Sequence, residues 1–494
     1  MGLTAFRQAY FASGNVVDYE SFAARQMRYQ ILWSMFENTA YEEVHSWVTR
    51  MKTLFGMYKN IRSLYSPAYR LGSFYSAHLW GGPLSLTAEA EGAIPIETDH
   101  DNLRVALAAL WKATNFGTAK DIFTLRGCIE GDLILRVHDD VEKGRVYLER
   151  LDPSTVTKLI LDSRSNVKAY TVEEKRSHPD KPTQTVTYRL EVTRDGANVV
   201  YQTFLNNNPY SWNGQPEIWE EAYTFIPLVL IKHIDVGLDW GWSELHAVRS
   251  KVREINDLAS MVSDQIRKTV NPVWLMPGKP QNIVLTGASP TTGRPMPSRE
   301  EIKTIWNWPE GSRPEPMIAP LNLADALKHI DSLLEEVERE YPELQTDIWA
   351  SGATSGRALR VARQRVEAKV HQRRAGYDAG LVKLQMMALS IGGMRGYKGY
   401  DGLTLDSYEK GDLDHSIADR PVFAVDPMDK VEVSQVFWTA AKTAVDAGAD
   451  LGGYLKEEGW SDEQITRMVA AEPSESDEKE LGIEGEELKE PVVE

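Results

Sequence analysis

Between residues 243 and 270 an apolar side chain recurs every three or four positions: Leu245, Val248, Val252, Ile255, Ala259, Val262 and Ile266. That spacing keeps one stripe of a helix apolar along its whole length, which predicts a helix packed side by side with another. A helix over 243–270 spans about 42 Å, with Ser243 as its N-cap and Asn271-Pro272 as its stop. The same spacing returns over 321–341 through Leu323, Leu327, Ile330, Leu334, Val337 and Tyr341. A Pro/Gly-rich insert separates the two, with strand-like pieces at 273–276 and 282–286 and with Trp306 and Trp308. Two long helices joined in this way suit an assembly component better than a catalytic βα unit.

With 494 residues the chain exceeds one small core, and two to four domains are expected. Its formal charge is −17, and residues 471–494 hold ten acids against Lys479 and Lys489. That stretch has little to bury and repels itself, so it reads as a solvated tail. Net acidity argues against a broad basic face that grips nucleic acid. It is compatible with a negatively lined passage in which a polyanion slides. The single cysteine, Cys128, rules out an intrachain disulfide, and its apolar setting predicts a buried thiol. No apolar run reaches membrane-spanning length and the N-terminus lacks a signal pattern, so a soluble, non-exported chain is expected.

Along the chain, residues 17–80 read as helical and dense in aromatics, broken by Gly81, Gly82 and Pro83. A short strand near 84–88 and an apolar helix over 101–125 follow. From about 127 the period falls to two: 129–138, 144–150, 155–160, 167–174 and 184–193 read as strands, with a turn at Asp195-Gly196 and a partner strand over 197–204. Residues 205–225 read as a loop and 227–233 as an apolar strand. In the second long helix, Glu335, Glu336, Glu338 and Glu340 crowd the last turns, where they oppose the helix dipole. A Gly/Ser loop with Asp347, Ser351, Gly352, Thr354, Ser355 and Gly356 leads into a helix over 356–390. The first half of that helix carries seven basic residues against Glu367, which predicts pairing with acidic neighbours such as Glu335–Glu340 of the same or a neighbouring subunit. A last helical unit over 432–470 presents Val433, Val436, Phe437, Ala440 and Val445.

The sequence has no phosphate-binding GxxxxGK[ST] loop, dinucleotide fingerprint, GxSxG elbow, HExxH or calcium-loop pattern. Its ten histidines form no i,i+4 pair, and neither a metal nor another cofactor is expected. The best enzymatic alternative is a carboxylate pair beside aromatics, Asp235 and Asp239 with Trp240 and Trp242, as a glycoside hydrolase would use.

In order and spacing, several segments together resemble a portal protein of a tailed double-stranded DNA bacteriophage. They are PLVLIKH (227–233), GWSELHAVRSKVREINDLASMVSDQIRKTVNPVWLM (241–276), DIWASGATSGRALRVARQRVEAKV (347–370) and DPMDKVEVSQVFWTAAKTAVDAG (426–448). The resemblance covers about 60–470 and implies an α+β, mainly helical fold assembled as a ring, commonly of twelve subunits, at one capsid vertex. It implies a wing over 1–242, helical in 17–125 and β-rich in 127–204. Stem helices follow over 243–270 and 321–342, the latter with the channel acids Glu335, Glu336, Glu338 and Glu340. It further implies a clip over 271–320 that docks through Trp306 and Trp308, and a tunnel loop over 343–356. The remainder is a return to the wing over 357–425, a crown over 426–470 and the acidic tail. The implied partners are the terminase large subunit, the head–tail adaptor, the major capsid protein and scaffold, and DNA in transit. The implied locale is the virion, after assembly in the host cytoplasm. No enzymatic activity is implied, since the packaging ATPase is a separate protein.

Overall fold

The computed structural model describes residues 21–39, 65–80, 94, 96–98, 100–212, 214–270, 274–277, 306–308, 315–316, 323–345, 356–418, 420–423, 427–448, 450–457 and 465. The chain divides into two compact units, Met1–Val422 and Phe423–Glu494. Both helices and open sheets contribute, so the fold class is mixed α+β.

The first unit begins with α1 (Phe22–Phe36), whose N-cap Ser21 accepts a hydrogen bond from the Ala24 amide. Helix α2 (Ala68–Leu79) follows, then the short β1 (Ile96–Glu97). The single helix expected over 101–125 is two, α3 (Asp101–Thr114) and α4 (Phe116–Glu130). The break is at Asn115, which takes a left-handed conformation (φ +52°) that asparagine tolerates better than most residues. Helix α4 also runs past 127, where strand was expected. It stops at Gly131, whose positive φ ends the helix and whose Cα lies against Trp242 and Ser243, leaving no room for a Cβ. Apolar residues stand on both sides of this boundary, Ile129 before it and Leu133, Ile134 and Leu135 after it.

Strands β2 (Asp132–Asp140) and β3 (Arg145–Leu151) form a hairpin in a first sheet. A second sheet holds β4 (Val156–Leu161), β5 (Val167–His178), β6 (Lys181–Asp195) and β7 (Asn198–Leu205), all antiparallel neighbours in sequence order. Val186, Tyr188, Leu190 and Val192 are buried in alternation, and the β6–β7 turn falls at Gly196 as expected. The stretch expected as a loop contains β8 (Asn208–Pro209) and β9 (Ile218–Glu221), both paired with β7. Strands of two and four residues are too short to show a period; the free edge of β7 selects them, and Trp219 stacks on Tyr201 at 5.1 Å. Strand β10 (Leu228–Lys232), at the expected apolar segment, joins β2 and completes the first sheet.

After β10, residues 244–248 form turns and α5 (Arg249–Val270) begins six residues later than expected. Ser243 does not cap this helix. Its hydroxyl donates to the Cys128 carbonyl and accepts from the Leu245 amide, so it ties the turn to the end of α4. In the insert, β11 (Trp274–Pro277) runs parallel to β12 (Trp306–Trp308) and antiparallel to β13 (Glu315–Pro316). The strand-like pieces at 84–88 and 282–286 lie outside the described residues. Helix α6 (Leu323–Glu340) and a 3₁₀ turn (Pro342–Gln345) lead on to α7 (Gly356–Met394). Leu381, Leu384, Met387, Ala388 and Ile391 of α7 are buried, and Gly380 allows the helix to approach Ile231 of β10 closely. Asp378 of α7 accepts from Trp80 and from both terminal nitrogens of Arg420. A helical turn, α8 (Ser407–Lys410), and β14 (Ser416–Ile417), paired with β1, complete this unit.

The second unit holds α9 (Pro427–Asp446) and α10 (Leu451–Glu457), joined at Gly448. Ala441 and Leu455 are buried between them and Phe437 meets Tyr454. The expected apolar face divides: Phe437 turns inward, whereas Val436 is 65% exposed and Val445 is exposed as well. A start at Ser461 and the acidic tail lie outside the described residues.

Candidate functional site: the helix pair and its buried base

Helices α5 and α6 run side by side, and most of the predicted seam residues meet. Leu245, Val248, Val252, Ile255 and Val262 are buried in one cluster with Ile330, Val337 and Tyr341, and Ala259 and Leu334 are packed at its margin. Leu32 of α1, Ala68 and Leu71 of α2 and Ile129 of α4 belong to the same cluster, so the inner seam is occupied by the chain's own elements. Ile266 and Leu327 do not join it and are 45% and 46% exposed. Both sit at the end of the pair that faces the insert.

Two polar residues in the seam were missed in the sequence. Asn256 is fully buried. Its Oδ1 accepts from the Tyr65 amide at 2.8 Å, and its Nδ2 donates to the Tyr65 and Val252 carbonyls. Ser260, one turn on, donates to the Asn256 carbonyl. Their signal is the i,i+4 pair itself, polar side chains that flank the apolar stripe one residue after Ile255 and Ala259.

The acids at the end of α6 have assigned partners. Lys251 of α5 reaches Glu336 at 2.8 Å and Glu340 at 2.7 Å, Arg339 pairs with Glu335, and Gln345 donates to Glu338. The hydrogen bond from Lys251 holds the Glu336 pKa below its ordinary value, while Glu336 and Glu340 raise that of Lys251. These carboxylates therefore oppose the helix dipole with a lysine between them. A second lysine, Lys369, donates to the Glu340 carbonyl at the helix terminus.

Beneath the pair lies a closed ionic cluster. Glu244 receives Lys369 at 3.2 Å, Arg373 at 3.2 Å and His233 Nε2 at 3.0 Å. Glu343 receives Lys369 at 2.8 Å and the Tyr75 hydroxyl at 3.0 Å. His233 Nδ1 lies 3.0 Å from the Tyr377 hydroxyl, and the Tyr341 hydroxyl donates to the Glu244 carbonyl. Burial pushes the His233 pKa down, which leaves the imidazole neutral; its Nε2–H donates to Glu244 and its Nδ1 accepts from Tyr377. Burial alone would raise the Glu244 pKa, but His233, Lys369 and Arg373 together hold it well below the carboxylate range. For Glu343 burial prevails over Lys369 and the pKa is raised. Of the basic residues of α7, Lys369 thus meets Glu244 and Glu343 and Arg373 meets Glu244, while Lys369 also touches the end of the Glu335–Glu340 segment through the Glu340 carbonyl. Glu244 and Glu343 flank the helix pair at its base, where α7 crosses.

The histidine–carboxylate pair has the partners of a general base, yet both side chains are sealed in the core. Of the hydrolase residues, Asp235 is exposed and accepts from the Gly237 amide in its own turn, and Asp239 is exposed. Trp240 stacks on Arg25 and Trp242 on His246. None of the four lines the open groove of about 600 Å³ bounded by Phe36, Tyr69, Ser73, Lys120, Asp121 and Leu125. Among the described residues no group of three His, Cys, Asp or Glu side chains could hold a metal, and no helix is long and apolar enough to cross a membrane. Cys128 is buried, and burial raises its thiol pKa. The loop residues Asp347, Ser351, Gly352, Thr354 and Ser355 lie outside the described residues, while Gly356 opens α7. Trp306 and Trp308 belong to β12. No protein-family model matches this chain, and no curated protein matches it either.

Proposed function

We propose that this chain is the subunit of a phage portal, a ring at one capsid vertex through which double-stranded DNA is packaged and later ejected. The observation that carries this reading is the order of parts around the helix pair. Two packed helices are joined at one end by an insert with its own small sheet, and at the other they enter an α+β body. A long helix and a separate two-helix unit follow. In this reading α5 and α6 are the stem, 271–320 the clip, 343–356 the tunnel loop and the second unit the crown. The exposed Ile266 and Leu327 then meet neighbouring subunits, and the carboxylates of α6, only partly balanced by Lys251 and Arg339, keep DNA from adhering. The clip docks the terminase large subunit and then the head–tail adaptor, while the wing and crown meet the major capsid protein and scaffold. No cofactor is required.

Mass measurement in solution combined with projection imaging tests the proposal. A ring with an open centre and a mass of about 0.7 MDa, as for twelve copies of a 55.7 kDa chain, is expected. A single compact copy without an opening overturns it. Replacing both Trp306 and Trp308 by alanine should weaken motor or adaptor binding while leaving the ring intact.

A further inference from the structure

The helix pair joins the body through two segments that are not α-helical, the turns at 244–248 and the 3₁₀ turn Pro342–Gln345. Each carries one buried carboxylate, Glu244 in the first and Glu343 in the second. From the geometry we infer that Lys369 is the positioning residue that pins both junctions, one ammonium shared between two carboxylates on separate segments. Its Nζ lies 3.2 Å from Glu244 and 2.8 Å from Glu343, donates to the Glu340 carbonyl, and sits 4.5 Å from the centre of the Tyr341 ring. The groups facing it are His233 from the end of β10, Tyr75 from α2, and Arg373 and Tyr377 from α7. His233 is neutral, so the cluster balances: Glu244 and Glu343 against Lys369 and Arg373. Arg373 pairs with Glu244, whereas Lys369 pairs with both acids and so links the two junctions. Without the ammonium both carboxylates lose a paired cation in a low-dielectric setting, a state far more costly than the loss of a surface pair. Lys369 is 24% exposed at its side chain, so solvent softens this cost without removing it.

This inference does not require the portal reading, because it concerns one chain whatever its assembly state. Hydrogen exchange on the full chain tests it with Lys369→Met, Glu343→Gln and the double variant. Lys369→Met should speed exchange at both 244–248 and 342–345 by about tenfold, with the β5–β6–β7 sheet unchanged. In the double variant Glu244 and Arg373 again balance, and protection at the two junctions should return toward that of the parent. Acceleration at one junction only, uniform acceleration across the chain, no acceleration, or a double variant no better than Lys369→Met would each overturn it. If Lys369→Met alone does not fold, a folded double variant supports the inference, and failure of both refutes it.

Discussion

The two ends of the helix pair follow different physical rules. At the base, Val252, Ile255, Val337 and Tyr341 are buried against α1, α2 and α4, and the polar groups beside them are nearly all paired inside the same chain. At the far end the apolar stripe continues in sequence, yet Ile266 and Leu327 face solvent. An identical period therefore does two jobs. Where the body supplies a second surface, the stripe becomes core; where it does not, the stripe stays exposed.

The largest effect expected from this difference is at the base. Ile255→Ala should cost about 4 kcal/mol in urea unfolding, from lost burial plus the cavity left among rigid neighbours. A loss no greater than that of Ile266→Ala would erase the distinction between the two ends.

Just below the base, Asp132 accepts from the Tyr29 hydroxyl and the Gly241 amide and lies 3.9 Å from Arg28. Burial outweighs these partners and raises its pKa to about 6. A carboxyl whose folded pKa lies above its unfolded one favours folding when protonated. Its contribution is complete below the unfolded pKa and is lost as pH rises through about 6. The wild-type chain should thus lose roughly 3 kcal/mol from this group between about pH 4 and 6. Asp132→Asn should flatten that part of the stability–pH curve, and an unchanged slope would remove Asp132 as its source.

Ile266→Ala and Leu327→Ala should change chain stability by less than about 1 kcal/mol, since each is already half in water. The sharper test is of the proposed ring: with aspartate at both positions the chain should stay folded while its mass in solution becomes that of a single subunit. A full-size particle from that variant would show that the far end is not a subunit contact.

The smallest effect is at Lys251. Lys251→Ala should give a slight loss of stability that disappears in high salt, because Glu336 and Glu340 are well exposed. The pair contributes above the ordinary carboxylate pKa and is lost as pH falls through the lowered Glu336 value. At the alkaline end it is lost as pH rises through the raised Lys251 value. A loss that persists in high salt would mean that the lysine stem packs rather than pairs.

Much of the architecture was legible because it rests on local periods. The 3,4 stripes yield α5 and α6, the two-residue alternation yields β5, β6 and β7, and Gly196 marks their turn. What was missed follows from tertiary demand. Asn115 divides a helical run whose apolar period continues across it, and β8 and β9 exist because β7 has a free edge. That Lys369 and Arg373 of the basic helix meet Glu244 and Glu343 is not visible in sequence, because these acids are scattered and become a cluster only when α7 crosses both junctions.

The sequence by itself determined the helix pair, the alternating strands β5 to β7 and the apolar faces of the two helices, because backbone period and side-chain polarity are local properties. Only the tertiary structure decided which stretch of the stripe is core and which is exposed, and which acid each lysine neutralises. Burial and Coulomb energy depend on distances between residues far apart in the chain, and spacing along the chain does not encode them.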